Sequence, residues 1–369
     1  LYGGYKIIIK KNATKSLIIH PEINGEDKHI THEMFHEIQN LVQNLNIEII
    51  SKEIIKIKKK NPSTFIGKGN LLRIKNDVSE KKIDLLIINN NLSPSQQRNL
   101  ERYLNTKVTD RSGIIIEIFS KRASTKESKL QVELAELIYR KSRLIRAWTH
   151  LERQRGGTTF IGGPGELQIE LDKRLIQSKI VKIKRKLNKV KERRYIQRKS
   201  RLSSQFKTFA LVGYTNAGKT KLFNRLTKKK QSSQDRLFET LDTKISKFFL
   251  DNQQVGVIDT VGFINNIPTQ LIESFHATLE EINSATYILN VIDVNDINVQ
   301  SKIKTTKKIL QDTGVSNEKI SNMINVYNKI DVSKSKFNFD QNRIFVSALT
   351  GEGIDNLKDR IKKEIIKLH

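Results

Sequence analysis

Eight residues constrain this chain more than any other stretch. Gly213-Tyr214-Thr215-Asn216-Ala217-Gly218-Lys219-Thr220 fits the phosphate-binding pattern G-x-x-x-x-G-K-[ST]. The apolar run before it, Phe209-Ala210-Leu211-Val212, predicts a buried strand, and Lys221-Leu222-Phe223-Asn224-Arg225-Leu226 predicts a helix start. Strand, loop and helix in that order form a phosphate cradle, because loop amides and the helix dipole both attract anions. Lys219 is expected to reach the β- and γ-phosphates, and the Thr220 hydroxyl to ligate magnesium.

A second signature addresses the base. Val326-Tyr327-Asn328-Lys329-Ile330-Asp331 predicts a strand ending in N-K-x-D. From a strand's carboxyl end, Asp331 can accept both N–H donors of the guanine Watson–Crick edge. Adenine offers no such pair and would leave the carboxylate unpaired. Asn328 is expected to brace the base and the loop, with the Lys329 stem over the ring. Ser347-Ala348-Leu349 follows another short apolar strand, Ile344-Phe345-Val346, and is expected to offer backbone contacts to the guanine oxygen.

Between these lie candidate switch segments. Val257-Ile258-Asp259-Thr260-Val261-Gly262 reads as a strand ending in D-x-x-G. Asp259 is expected to hold a magnesium-bound water and the Gly262 N–H to sense the γ-phosphate. Upstream, Leu237-Phe238-Glu239-Thr240-Leu241 is a candidate first switch, with Thr240 closing on magnesium only when the γ-phosphate is present. Thr243 competes with Thr240 for that role. Lys219, Thr240 and Gly262 are the catalytic candidates. Where Ras-like GTPases carry a water-orienting glutamine after D-x-x-G, this chain has Phe263, so hydrolysis is expected to be slow without help in trans. Asn216 stands where potassium-dependent GTPases carry a cation-ligating asparagine. Potassium in place of an arginine finger, or simple bracing of the loop, are both open for it.

The length of 369 residues suits two or three domains. Cysteine is absent, which excludes disulfides and thiolate metal sites and is compatible with a reducing cytosol. No apolar run approaches the ~20 residues of a membrane span. The chain begins at Leu1 rather than Met, so its true start is expected upstream. The formal net charge is +28, and from Lys173 to Arg201 there are 14 Lys or Arg against one acidic residue, Glu192. A solvated helix normally interleaves signs for i,i+4 support, so this run points to a polyanionic partner, nucleic acid ahead of an anionic membrane surface.

Three regions follow from the patterning: an N-terminal parallel α/β domain at 1–125, a long antiparallel helical hairpin at 126–203, and an α/β nucleotide domain at 204–369. In the first, Glu48-Ile49-Ile50 leads into Ile54-Ile55-Lys56-Ile57, Leu85-Leu86-Ile87-Ile88 is a second strand and Ile114-Ile115-Ile116-Glu117-Ile118 a third. Ser93 is the expected N-cap of a helix with Pro94 at its first position. The motif His32-Glu33-Met34-Phe35-His36 matches the zinc-protease pattern, yet its apolar neighbours read as an ordinary covering helix and no third ligand follows. In the second region, Leu130, Leu134, Leu137, Leu144, Trp148 and Leu151 recur at heptad spacing, interrupted by Lys141. Ile176, Ile180, Ile183, Leu187 and Val190 repeat the same step. The glycine-dense link at 156–165 forms the hairpin's tip. Arg153, Arg155, Lys182, Arg185, Lys186, Arg193 and Arg194 are candidate RNA contacts, since folded RNA is read by shape and phosphates.

These residues together resemble the HflX family of ribosome-associated GTPases. The resemblance rests on Phe65-Ile66-Gly67-Lys68-Gly69, Leu92-Ser93-Pro94-Ser95-Gln96-Gln97-Arg98-Asn99-Leu100, Asp110-Arg111-Ser112-Gly113 and Lys129-Leu130-Gln131-Val132-Glu133-Leu134-Ala135. Trp148-Thr149-His150-Leu151-Glu152-Arg153-Gln154, Gly163-Pro164-Gly165-Glu166 and Asp259-Thr260-Val261-Gly262-Phe263 extend it over nearly the whole chain. The resemblance implies an N-terminal α/β domain, a helical hairpin and a Ras-like phosphate-loop GTPase domain. It further implies a cytoplasmic or organelle-matrix factor that binds the large ribosomal subunit and its RNA, hydrolyses GTP with magnesium and splits idle or stalled ribosomes. Some relatives use ATP at the N-terminal domain, for which Gly67-Lys68-Gly69 is the candidate here. Many bacterial relatives carry a further C-terminal domain, whereas this sequence ends with the GTPase helix, and the segment after Leu241, Asp242-Thr243-Lys244-Ile245, is without the proline common in relatives, which is expected to loosen the first switch. A large-subunit assembly GTPase and an ATP-driven RNA-remodelling protein are the competing readings. A membrane-remodelling GTPase is disfavoured, because the basic helix lacks an aromatic-rich apolar face.

Overall fold

The computed structural model of the chain describes residues 13–23, 28–154, 164–202, 207–228, 238, 241–251, 253–265, 271, 276–296, 298–333 and 343–366, with the side chains at 145–154, 164–169, 194–195, 197–202 and 276–279 left aside. The chain divides into two compact units. One comprises Leu1–Lys121, Leu130–Lys186 and Pro268–Leu271, the other Arg122–Lys129, Leu187–Ile267 and Ile272–His369.

The first unit alternates β1 (Thr14–Ile23), α1 (Lys28–Gln43), β2 (Ile47–Ile57), α2 (Lys68–Glu80), β3 (Leu85–Ile88), α3 (Pro94–Leu104), β4 (Lys107–Asp110) and α4 (Arg111–Arg122). Its sheet is parallel throughout, in the order β2-β1-β3-β4. Leu17, Ile18 and Ile19 of β1 and Leu86, Ile87 and Ile88 of β3 are fully buried, as expected of strands covered on both faces. Ser93 caps α3 as anticipated and forms a reciprocal capping box with Gln96, with Pro94 in the first turn. The H-E-x-x-H motif lies on α1.

One expected strand is a helix. Ile114–Ile118 falls inside α4, where Ile114, Ile115, Ile116, Ile118 and Phe119 are buried. The strand is instead the shorter Lys107–Asp110 just before it. A short apolar run has no period that separates a buried strand from a buried helix. The deciding signal is Asp110, whose carboxylate accepts the Gly113 N–H at 2.9 Å and so caps the first turn of α4.

Two long helices follow, α5 (Lys126–Gln154) and α6 (Pro164–Leu202). Of the glycine-dense link expected at 156–165, residues 156–163 lie outside the described residues, whereas Pro164 and Gly165 belong to the first turn of α6, where proline is tolerated. Thr125 opens α5 by exchanging hydrogen bonds with Ser128: its Oγ1 accepts the Ser128 N–H at 3.1 Å, and Ser128 Oγ accepts the Thr125 N–H at 3.2 Å. Leu134 and Leu137 of the heptad seam are buried on α5, and Ile180 and Ile183 on α6. Lys141, which interrupts the seam, spends its charge on Gln177 of α6 at 2.6 Å.

The second unit carries β5 (Thr208–Val212), α7 (Lys219–Thr227), β6 (Lys244–Leu250), β7 (Gln253–Asp259), α8 (His276–Ser284), β8 (Tyr287–Asp293), α9 (Val299–Asp312), α10 (Asn317–Ser321), β9 (Ile324–Asn328), β10 (Ile344–Phe345) and α11 (Ile354–Ile366). The sheet order is β10-β9-β8-β5-β7-β6, parallel except for β6 against β7. Apolar clusters fill both of its faces: Phe209, Leu211, Val257, Val291 and Leu357 on one, and Ala210, Val212, Ile258, Phe263 and Ile288 on the other. The expected class is therefore the observed one: a parallel α/β unit, a helical region and a phosphate-loop α/β unit. No described helix is long and apolar enough to cross a membrane.

Candidate nucleotide site

The central strands β5, β7, β8 and β9 deliver their carboxyl ends side by side, where ligands bind in open α/β sheets. The loop from Gly213 to Gly218 springs from β5 and opens α7. Gly213 sits at φ +136°, and a Cβ there would lie 2.2 Å from the Val291 carbonyl oxygen, so backbone is packed where any other residue needs a side chain. The loop is strapped to the D-x-x-G segment by two hydrogen bonds: the Thr215 N–H donates to the Phe263 carbonyl at 2.7 Å and the Phe263 N–H to the Gly213 carbonyl at 3.0 Å. Gly262 completes the close approach. A Cβ on it would meet Thr215 Cγ2 at 2.7 Å and Lys219 Nζ at 3.0 Å.

Lys219 is buried, and its ammonium donates to the Gly213 carbonyl at 3.0 Å and the Tyr214 carbonyl at 2.7 Å. Burial pushes its pKa down to about 8, against the opposing pull of Asp259. The Thr220 hydroxyl donates to Asp259 Oδ2 at 3.0 Å, and Asp259 is fully buried at the end of β7. A hydroxyl and a carboxylate this close offer hard oxygen donors that suit a magnesium ion retaining most of its waters. Asn216 is exposed and holds a left-handed φ of 63°. Phe263 is 2 % exposed and packs into the apolar cluster behind the loop with Tyr214, so no polar side chain at that position faces the phosphates.

The residues expected to recognise the base gather at the ends of β9 and β10. Asn328 is buried; its amide donates to the Ala217 carbonyl at 2.8 Å and its oxygen accepts the Ala348 N–H at 2.9 Å. One side chain thus joins the phosphate loop to the Ser347-Ala348-Leu349 turn. Asp331 lies in a short 3-10 turn, Ile330–Val332, and accepts the Ser347 hydroxyl at 2.5 Å. Lys329, at φ 69°, has its ammonium 2.8 Å from Asp293. Leu349 is exposed, and its carbonyl accepts Arg225 of α7 at 3.1 Å.

Reading the sequence alone missed Asp293 and Arg225. Asp293 was findable: Tyr287–Asp293 is an apolar strand that ends in aspartate, in the same form as Gln253–Asp259. Arg225 gives no such signal, because its partner is a backbone carbonyl 124 residues away. Thr240 and Arg155 lie outside the described residues, as do the side chains of Arg153 and Arg194. Lys182, Arg185, Lys186 and Arg193 are all exposed on α6.

Comparison with known proteins finds related GTPases. Residues 32–120 match the family described as GTP-binding GTPase N-terminal, 122–201 the GTP-binding GTPase Middle Region, and 208–329 the 50S ribosome-binding GTPase. A GTPase HflX of Magnetococcus marinus is 42% identical over 335 residues, covering 89% of this chain and 77% of that protein. A GTPase HflX of Escherichia coli is 40% identical over 331 residues, covering 87% of this chain and 76% of that one. The crystal structure of an SsGBP and GDP complex, 25% identical, superposes with a TM-score of 0.50 and covers 96% of this chain and 99% of its own.

Proposed function

This chain belongs to the HflX family of GTPases, and from that premise we propose that it docks on the large ribosomal subunit in its GTP state and splits idle or stalled ribosomes. The observation that carries the proposal is the strongly basic surface of α6, where 14 Lys or Arg stand against Glu192 alone from Lys173 to Arg201. Lys182, Arg185, Lys186 and Arg193 are exposed there, in a chain whose second unit holds a GTPase site. Such a surface suits RNA phosphates, and the tip at 156–165 is its proposed leading end.

The residues divide the chemistry as follows. Loop amides from Tyr214 to Gly218 cradle the phosphates, and Lys219 turns from two carbonyls to the β- and γ-phosphates. Its burial disfavours the charge, so a bound polyphosphate relieves that penalty. Thr220 and Asp259, joined by Thr240 once the first switch closes, would hold magnesium, which supplies charge neutralisation during phosphoryl transfer. Gly262 presents its N–H to the γ-phosphate. Asp331 selects guanine, Lys329 covers the ring, and Ser347, Ala348 and Leu349 contact the base oxygen. Because Phe263 is committed to the core, the attacking water must be oriented by something else: the ribosome in trans, with potassium at Asn216 as a second contributor.

The test is GTP turnover with and without purified large ribosomal subunits. Stimulation of at least about tenfold is expected, since groups supplied in trans are worth that and more. Unstimulated turnover would contradict the proposal. If about six phosphates are contacted, binding should weaken by roughly 10³ between low and near-physiological salt.

A further inference from the structure

Two polar contacts tie the roots of the long helices to segments flanking the nucleotide site, and neither belongs to the site itself. The first is at the start of α5. Asp242 accepts the Ser124 hydroxyl at 2.7 Å, the Thr125 hydroxyl at 2.6 Å and the Thr125 N–H at 3.4 Å. Thr125 is the residue that caps α5 through Ser128. Burial raises the Asp242 carboxyl, but the hydrogen bonds from Thr125, Ser124 and Ser128 outweigh it and hold the group below the usual carboxylate range. A charged carboxylate therefore sits at the positive end of the α5 dipole.

Asp242 is also close to the nucleotide site along the backbone. Leu241 before it is buried, and two residues after it β6 begins with Lys244, in register with Asp259. The second contact is toward the end of α6, where Lys191 lies 2.5 Å from Glu280 on α8, the helix that follows the D-x-x-G segment. The two roots are thus held by segments that lie before and after the Asp259–Gly262 stretch in the chain.

We propose that Asp242 is the positioning residue through which the nucleotide state sets the first turn of α5. Its bonds to Ser124 and Thr125 span 118 and 117 residues of sequence and reach two exposed residues, so breaking them leaves the apolar core intact. What they fix is the cap of one continuous helix, which starts in the GTPase unit at 126–129 and runs on as part of the other unit to residue 154. A shift of Asp242 on exchange of GTP for GDP therefore uncaps α5 and loosens its first turn. The inference rests on the proposal above that the GTP state governs ribosome binding, and supplies its physical link.

The test is amide hydrogen exchange across residues 126–130 of the full chain, loaded with a non-hydrolysable GTP analogue or with GDP. Protection is expected to differ by about fivefold or more between the two states, the low end of ordinary coupling between sites. Asp242→Ala should abolish the difference while leaving affinity for both nucleotides within about twofold, and Asp242→Asn, which keeps an acceptor, should restore part of it. If Asp242→Ala does not fold, Ser124→Ala, at an exposed position, should reduce the difference. Equal exchange in both states of the unaltered chain, or an undiminished difference in Asp242→Ala and Ser124→Ala, would overturn the inference. Large-subunit binding measured in parallel separates the two proposals. Binding that ignores the nucleotide removes the ribosomal reading, while exchange still decides the role of Asp242.

Discussion

Both α/β units bring polar residues to the carboxyl ends of parallel strands, and they use them in opposite ways. In the first unit the buried arginines are paired with carboxylates. Arg111 is 1 % exposed; it donates to Asn89 at 2.9 Å and to Glu37 at 2.6 Å. Arg143 of α5 donates to Asp110 and Gln97 at 2.7 Å each, with its guanidinium over the Tyr139 ring, whose hydroxyl donates to Asp110 at 2.8 Å. In the second unit the corresponding edge is mostly backbone. Glycines admit carbonyls and amides to close quarters, and Lys219 rests on two carbonyls that offer it no countercharge. A sheet end whose charges are already paired acts as a brace; one whose buried Lys219 donates to backbone carbonyls, with Asp259 as a more distant countercharge, is the proposed receptor.

That contrast can be broken in order of effect. Gly213→Ala forces a Cβ against the Val291 carbonyl at a φ of +136°, so it should cost about 3–5 kcal/mol of stability in the second unit and abolish GTP binding. Denaturant melts and nucleotide titration check both. Arg143→Met leaves Asp110 buried without its cation and should destabilise the first unit by about 3 kcal/mol, while GTP affinity stays unchanged. A matching loss of GTP affinity would mean that the two edges are not independent. Asp331→Asn should lower GTP affinity by roughly 100-fold and relax base choice, read by competition with xanthosine triphosphate.

The smallest effect is a pH dependence. Burial depresses the Lys219 pKa, and bound polyphosphate favours its charged form, so binding takes up a proton above that pKa. GTP affinity should be flat below about 8 and fall above it by up to about tenfold per pH unit. A flat profile through this range would place Lys219 away from the phosphates.

The receptor edge was readable from the sequence because its residues are contiguous in short motifs. Gly213 to Thr220, Asp259 to Gly262 and Asn328 to Asp331 each sit where one strand ends, and the strands themselves are apolar runs. The brace was not readable, because its partners come from α1, the loop after β3, α3, β4, α4 and α5 and share no spacing. Asp110 illustrates the loss: it accepts from Gly113, Leu92, Tyr139 and Arg143, and missing it turned α4 into a strand. The heptad reading named Leu134 and Leu137 as seam residues, but no periodicity announces that Arg143 and Gln131 of the same helix are buried too. The clasp on Asp242 was invisible for the same reason, being made by residues more than a hundred positions apart.

The central claim is that GTP at the second unit governs engagement of RNA by the basic helix. Co-sedimentation of the full chain with purified large ribosomal subunits, in a non-hydrolysable GTP analogue, in GDP and without nucleotide, tests it most directly. The account predicts retention with the analogue and release with GDP at the same salt. Equal retention in all three would contradict it.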